Sequence, residues 1–170
     1  LAVAASAGVL LLIALLLGGN SSLLSFLSYQ SYRGIQIESP IASWWIWTGE
    51  FGFANAGIYY DKLMLTFQVA GEGIPLVSSL IGYAMLIALA ITTWLAWRAS
   101  SAGARFSTVL PIASLTAVLD LIVFNKVGSP QFATWLAVPI VLGILYQVEN
   151  WRTPTFSVIA LGAVTFLIYP

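Results

Sequence analysis

Between Glu72 and Arg98 the chain carries no charged residue, and Pro75 to Trp97 is apolar and long enough to cross a bilayer as one helix, for which about 20 residues are needed. This run constrains the fold most. In hydrocarbon, backbone N–H and C=O groups find no water, so the segment must satisfy them internally as a helix. The rest of the chain has the same character: 60% of its residues are apolar and only 7% charged, against about 25% charged in a soluble domain. Seven Trp suit the aromatic belts of two membrane interfaces.

Composition also excludes chemistry. With no Cys and no His, there is no disulfide framework, no zinc site of the usual kind and no imidazole base. A formal net charge of zero gives no electrostatic reason for nucleic-acid binding. Few carboxylates are available for a metal, and none is expected.

Five transmembrane helices are read from the apolar runs: Leu1 to Gly19, Pro75 to Trp97, Phe106 to Phe124 (interrupted by Pro111), Gln131 to Tyr146 (containing Pro139) and Thr155 to Tyr169. A cleavable signal peptide is the alternative for the first run, although no basic stretch precedes it. The expected fold is an all-α integral membrane protein, one polytopic domain over residues 1–170. Its start inside an apolar run, without Met, reads as a fragment of a larger protein. Residues 20–74 form one long loop. Within it, Leu23, Leu24 and Leu27 fall on one face of an interfacial helix over Ser21 to Tyr32. Ser39-Pro40 reads as an N-cap and first turn, starting a helix through Trp44, Trp45 and Trp47 that Gly49 and Gly52 end. Ile58 to Val69, with alternation at Leu63, Leu65, Phe67 and Val69, reads as a short β-hairpin turning near Asp61-Lys62.

Arg98 and Arg105 bracket one short loop and Arg152 lies in another, which makes both cytoplasmic by the positive-inside rule. The 20–74 loop and the 125–131 loop then face outward together, because two spans separate them. They carry the polar clusters that could do chemistry, Arg33-Gly34-Ile35-Gln36-Ile37-Glu38-Ser39 and Asn125-Lys126-Val127-Gly128-Ser129-Pro130-Gln131.

Lys126, at the end of a span, can serve as a point charge for phosphate, with Ser129-Pro130 starting a helix whose positive end points at the same place. Alternatively it is a snorkelling lysine beside a turn. Arg33 can fork onto a phosphate or sugar hydroxyls, with Glu38 accepting hydroxyl hydrogen bonds or holding Arg33; a surface ion pair is the alternative. Asp120, within the membrane, can neutralise Lys126 or Arg33. The three tryptophans read as an interfacial anchor, or as a sugar-stacking surface.

The two clusters also carry a resemblance. Arg33 to Ser39, followed by a glycine-rich stretch and a hairpin, resembles the long extracytoplasmic loop of family 87 glycosyltransferases. Asn125 to Gln131 with Phe132 resembles that family's Lys-x-x-Ser-Pro-Gln-aromatic signature. Both motifs stand in the family's order, two spans apart, and the resemblance extends from about Tyr32 to about Pro139. It implies a GT-C type membrane enzyme that moves a hexose, often mannose, from a polyprenyl-phosphate carrier to a lipid or glycan acceptor outside the cytoplasm. Arg33, Gln36, Glu38, Ser39, Lys126, Ser129 and Gln131 would bind the donor, with Asn125 and Asp120 behind them. The family's catalytic carboxylate sits in the first outward loop. No acidic residue here matches it, so the base is left unassigned and the segment alone is expected to be inactive. A transporter or lipid-linked flippase, and a non-catalytic membrane subunit, are the competing readings.

Overall fold

The computed structural model describes residues 33–53 and 55–168, together with Val9, Leu12, Ile13 and Leu16. The chain divides into two compact units, Leu1–Arg33 and Gly34–Pro170. In the first, the four described residues before Arg33 are helical and exposed. The interfacial helix expected over Ser21 to Tyr32, and most of the span expected over Leu1 to Gly19, lie outside the described residues.

The second unit opens with a 3₁₀ turn, Pro40–Ala42, that runs into helix α1, Ser43–Glu50. Pro40 presets the first turn and Ser39 before it is extended, with ψ 140°. At the far end Gly52 adopts φ +70°, a left-handed conformation that closes the helix without a β-carbon penalty. Strands β1, Gly57–Asp61, and β2, Thr66–Ala70, pair antiparallel with Asp61 opposite Thr66. Asp61 makes the turn: its Oδ1 accepts from the N–H of Leu63 at 2.9 Å and of Met64 at 3.1 Å. The hairpin therefore turns where the sequence placed it.

Helix α2, Ile74–Ser101, begins after Gly73 at φ +80° with Pro75 in its first turn. Its last turn holds Arg98, whose guanidinium lies 5.4 Å from the Trp94 ring centroid. At 28 residues it is about 42 Å long, more than the roughly 30 Å of a bilayer core. Helix α3, Phe106–Val123, packs against it. Both are long and apolar enough to cross a membrane, and only 11% and 6% of their most apolar windows are buried within the chain. Their apolar surfaces are thus left largely uncovered by the rest of the described chain. Pro111 does not interrupt α3 as expected. Proline removes one ladder bond, and here its ring is buried while the helix continues through it.

The fourth run departs further from expectation. It forms two pieces, α4, Phe132–Trp135, and α5, Ala137–Leu145. Together they rise only about 20 Å. Pro139 explains the break: it has no N–H to offer the Trp135 carbonyl, so the ladder fails between the two pieces. Helix α6, Arg152–Ile168, follows, beginning three residues earlier than the run suggested. Trp151 is driven inward before it, its indole Nε1 donating to the Ile140 carbonyl at 3.0 Å.

The packed core of this unit sits under the hairpin. Ile35, Ala42, Trp45, Val69 and Ile74 are buried together. Trp45 donates its Nε1–H to the Glu72 carbonyl at 2.9 Å and lies close over Gly71. That fixes the rotation of α1, so Trp44 and Trp47 point outward, 68% and 59% exposed, while Trp45 is 6% exposed. The tryptophan group is therefore split between core and surface.

Candidate functional site

The residues from Gly34 to Ser39 take their place by pairing with β2 along the edge that β1 leaves open. The N–H of Val69 donates to the Ile35 carbonyl at 3.0 Å, and the N–H of Ile37 to the Phe67 carbonyl at 3.2 Å. Gln36 thus stands opposite Gln68 as an antiparallel bridge. Backbone groups alternate in direction along an extended segment, so the N–H of Gln36 points away from β2. It donates to the carbonyl of Lys126 at 2.9 Å.

A second contact joins the same two segments. A β-carbon on Gly128 would overlap the Glu38 carbonyl group and the Ser39 nitrogen. Glycine is thus required for close backbone approach rather than for a turn conformation. The 125–131 loop is shaped for this by Asn125, whose Oδ1 accepts from the Val127 N–H at 3.0 Å in an Asx-type turn. The Ser129 carbonyl then accepts from the N–H of Phe132 at 2.9 Å, starting α4. The two polar clusters, distant in sequence, meet through their backbones from Gln36 to Ser39 and from Lys126 to Gly128.

The side chains named from the sequence are distributed as follows. Gln36 and Ser39 are buried; Asn125, Lys126 and Ser129 are half-buried; Glu38 and Gln131 are exposed. Arg33 is half-buried and closes the first unit. Ser39 occupies the N-cap position without a side-chain cap bond, and its Oγ is buried without a partner among the described residues. The cap reading for this hydroxyl fails because backbone bonds, with the Ala42 N–H donating to the Ser39 carbonyl at 3.0 Å, already form the turn. A second correction concerns the helix after Ser129-Pro130. Its α4 piece has four residues, too few aligned peptides to aim a substantial macrodipole at Lys126. Asp120 accepts a hydrogen bond from the Thr92 hydroxyl of α2 at 2.7 Å, which ties the two long helices together near the loop.

Gln68 was not singled out from sequence. Its side chain, 1% exposed, receives the Tyr59 hydroxyl on Oε1 at 3.1 Å and donates from Nε2 to Asp61 Oδ2 at 3.0 Å. It lies over Gly34, where a β-carbon would overlap Oε1. A glutamine inside an otherwise apolar strand was the available signal. The apolar alternation masked it, because Val69 and Gln68 are both buried once Gly34–Ile37 covers the edge of β2. Asp61, fully engaged with two backbone N–H groups and Gln68, acts as the keystone of the hairpin.

Among the described residues no three His, Cys, Asp or Glu side chains gather into a set able to hold a metal ion. Comparison with protein-family models, with curated proteins and with solved structures finds no match for the chain.

Proposed function

We propose that the chain is part of a multi-pass membrane glycosyltransferase, and that the Gly34–Ser39 and Asn125–Gln131 segments form the donor half of its site on the extracytoplasmic side. The observation that supports this most is the backbone contact between them, with the N–H of Gln36 on the Lys126 carbonyl at 2.9 Å and Gly128 against Glu38–Ser39. These are the segments that resemble family 87 glycosyltransferases, and they meet at the end of a helix long and apolar enough to cross a bilayer.

In the proposed reaction an acceptor hydroxyl oxygen bonds to the anomeric carbon of the hexose as the bond from that carbon to the carrier phosphate breaks. The hydroxyl proton goes to a base outside the residues named here, and the lipid phosphate departs with the bonding pair. Lys126 stabilises the charge that develops on that phosphate. Such electrostatic work is worth about 100-fold or more in rate per group. A polyprenyl-phosphate hexose fits because its phosphate sits at the depth where a span ends in a cation.

The test is transfer from a polyprenyl-phosphate-linked mannose donor by the full-length protein in membranes. Lys126→Ala should lower turnover by about 100-fold while leaving insertion and the thermal midpoint unchanged. Wild-type turnover in this variant overturns the proposal.

A further inference from the structure

The turn joining α5 to α6 encloses, with the adjoining ends of both helices, a groove of about 810 Å³. It lies beyond α4 and α5 from the Lys126 loop, about 20 Å of helical rise away, and is separate from the candidate site. Its shape is built in. Gly143 leaves room for the Trp151 indole, which lies directly over it, and the indole N–H is bonded to the Ile140 carbonyl at 3.0 Å. Gln147 and Asn150 hold the turn in left-handed conformations, φ +51° and +57°, which cost a non-glycine residue energy and persist only where packing enforces them.

The lining combines two chemistries. Asn150, Arg152 and Thr153 offer a charge and hydrogen-bonding groups, whereas Ile144, Trp151 and Phe156 offer apolar walls. A small soluble anion would use the first and leave the second bare. A plain hydrocarbon chain would do the opposite, and would crowd the Arg152 guanidinium without pairing it. An amphiphile with an anionic head satisfies both. Arg152 is exposed and is the first residue of the apolar helix α6, so in a bilayer it stands at headgroup level, where basic pockets between helices recognise anionic lipids. Glu149 is the one acidic residue in the turn, and it is exposed and outside the lining.

We infer that this groove binds an anionic phospholipid, its phosphate on Arg152 and Thr153 and an acyl chain along Ile144 and Phe156. The inference rests on the membrane location proposed above and not on the transferase activity. Native mass spectrometry of the full-length protein in detergent tests it, titrating dioleoylphosphatidylglycerol, dioleoylphosphatidylcholine and inorganic phosphate in separate arms. The wild type should retain the glycerol lipid about fivefold better than the choline lipid. Arg152→Gln should abolish that preference and Arg152→Lys should keep most of it. Equal retention of the two lipids by wild type, an unchanged preference in Arg152→Gln, or full displacement by equimolar inorganic phosphate would each overturn the inference. A protein that stays monodisperse without detergent would instead remove the membrane reading on which it stands.

Discussion

Gln36 and Lys126 are joined by a single backbone hydrogen bond of 2.9 Å, and Gly128 two residues further on is pressed against the peptide between Glu38 and Ser39. Neither contact uses a side chain of the polar clusters, so the scaffold and the chemistry can be separated by mutation. Gly128→Ala inserts a methyl group where the Glu38 carbonyl lies. Overpacking of that kind costs about 1–3 kcal/mol, and the expected result is a lower thermal midpoint in detergent and, under the proposed function, weaker transfer. An unchanged midpoint would mean that the two segments are not in contact.

Gly34 and Gln68 provide a sharper test because each can compensate the other. Gly34→Ala directs a β-carbon onto Gln68 Oε1, while Gln68→Ala removes that atom but strands the Tyr59 hydroxyl and part of Asp61. The double variant should be more stable than the sum of the two singles. A coupling of about 0.5–3 kcal/mol is typical for residues in contact, measurable by a double-mutant cycle of denaturant or thermal midpoints. Additive effects would place Gln68 away from Gly34.

Asp61 accepts three hydrogen bonds, from Leu63, Met64 and Gln68. Asp61→Ala leaves those donors without their acceptor and should destabilise the protein by about 1–3 kcal/mol. Asp61→Asn is the more informative change. Its Oδ1 can still serve the turn, and its amide meets the Gln68 amide donor to donor only until Gln68 turns over. Gln68 Oε1 then accepts from the new amide and Nε2 donates to the Tyr59 hydroxyl oxygen, which can accept as well as donate. Asp61→Asn should therefore cost less than Asp61→Ala, and Tyr59→Phe added to it should cost further, because Nε2 then loses its acceptor. A loss in Asp61→Asn as large as in Asp61→Ala would contradict the arrangement.

Local signals in the sequence carried a good part of this structure. Ser39-Pro40 and Gly49 to Gly52 bracket α1, and an Asp at the centre of an aromatic, β-branched run turns the hairpin. The loop from Asn125 to Gln131 is read correctly as a break between helices because Gly128 and Pro130 cannot extend either one easily. What was not legible depends on partners far along the chain. Nothing near Gln36 announces that it will pair with β2 on one side and Lys126 on the other. Nor does the apolar alternation of β2 show that its polar face is covered as well. The fourth run misled for a physical reason: hydropathy counts apolar residues but is blind to the missing N–H of Pro139, which divides the run into α4 and α5.

The Thr92–Asp120 pair bears on how the two long helices are held. The Thr92 hydroxyl donates to Asp120 Oδ2 at 2.7 Å, and Thr92 is buried between the helices. In a bilayer such interhelical bonds average about 0.6 kcal/mol and reach about 1.7. An unpaired carboxylate is costlier to leave in that setting. Thr92→Val preserves the shape and removes only the donor, so it should destabilise by about 1–2 kcal/mol, whereas Thr92→Ser should stay within a few tenths of wild type. The measurement is reversible unfolding in mixed micelles. Because Asp120 lies one turn before the Phe124 end of α3, the same variant should also loosen the Asn125–Gln131 loop, seen as faster amide exchange at Val127. That amide is bonded to Asn125 within the loop and has no direct contact with Thr92 to lose. Equal stability of the Val and Ser variants would show that the hydroxyl does not serve Asp120. Destabilisation without faster exchange at Val127 would confine the pair to helix packing and uncouple it from the loop.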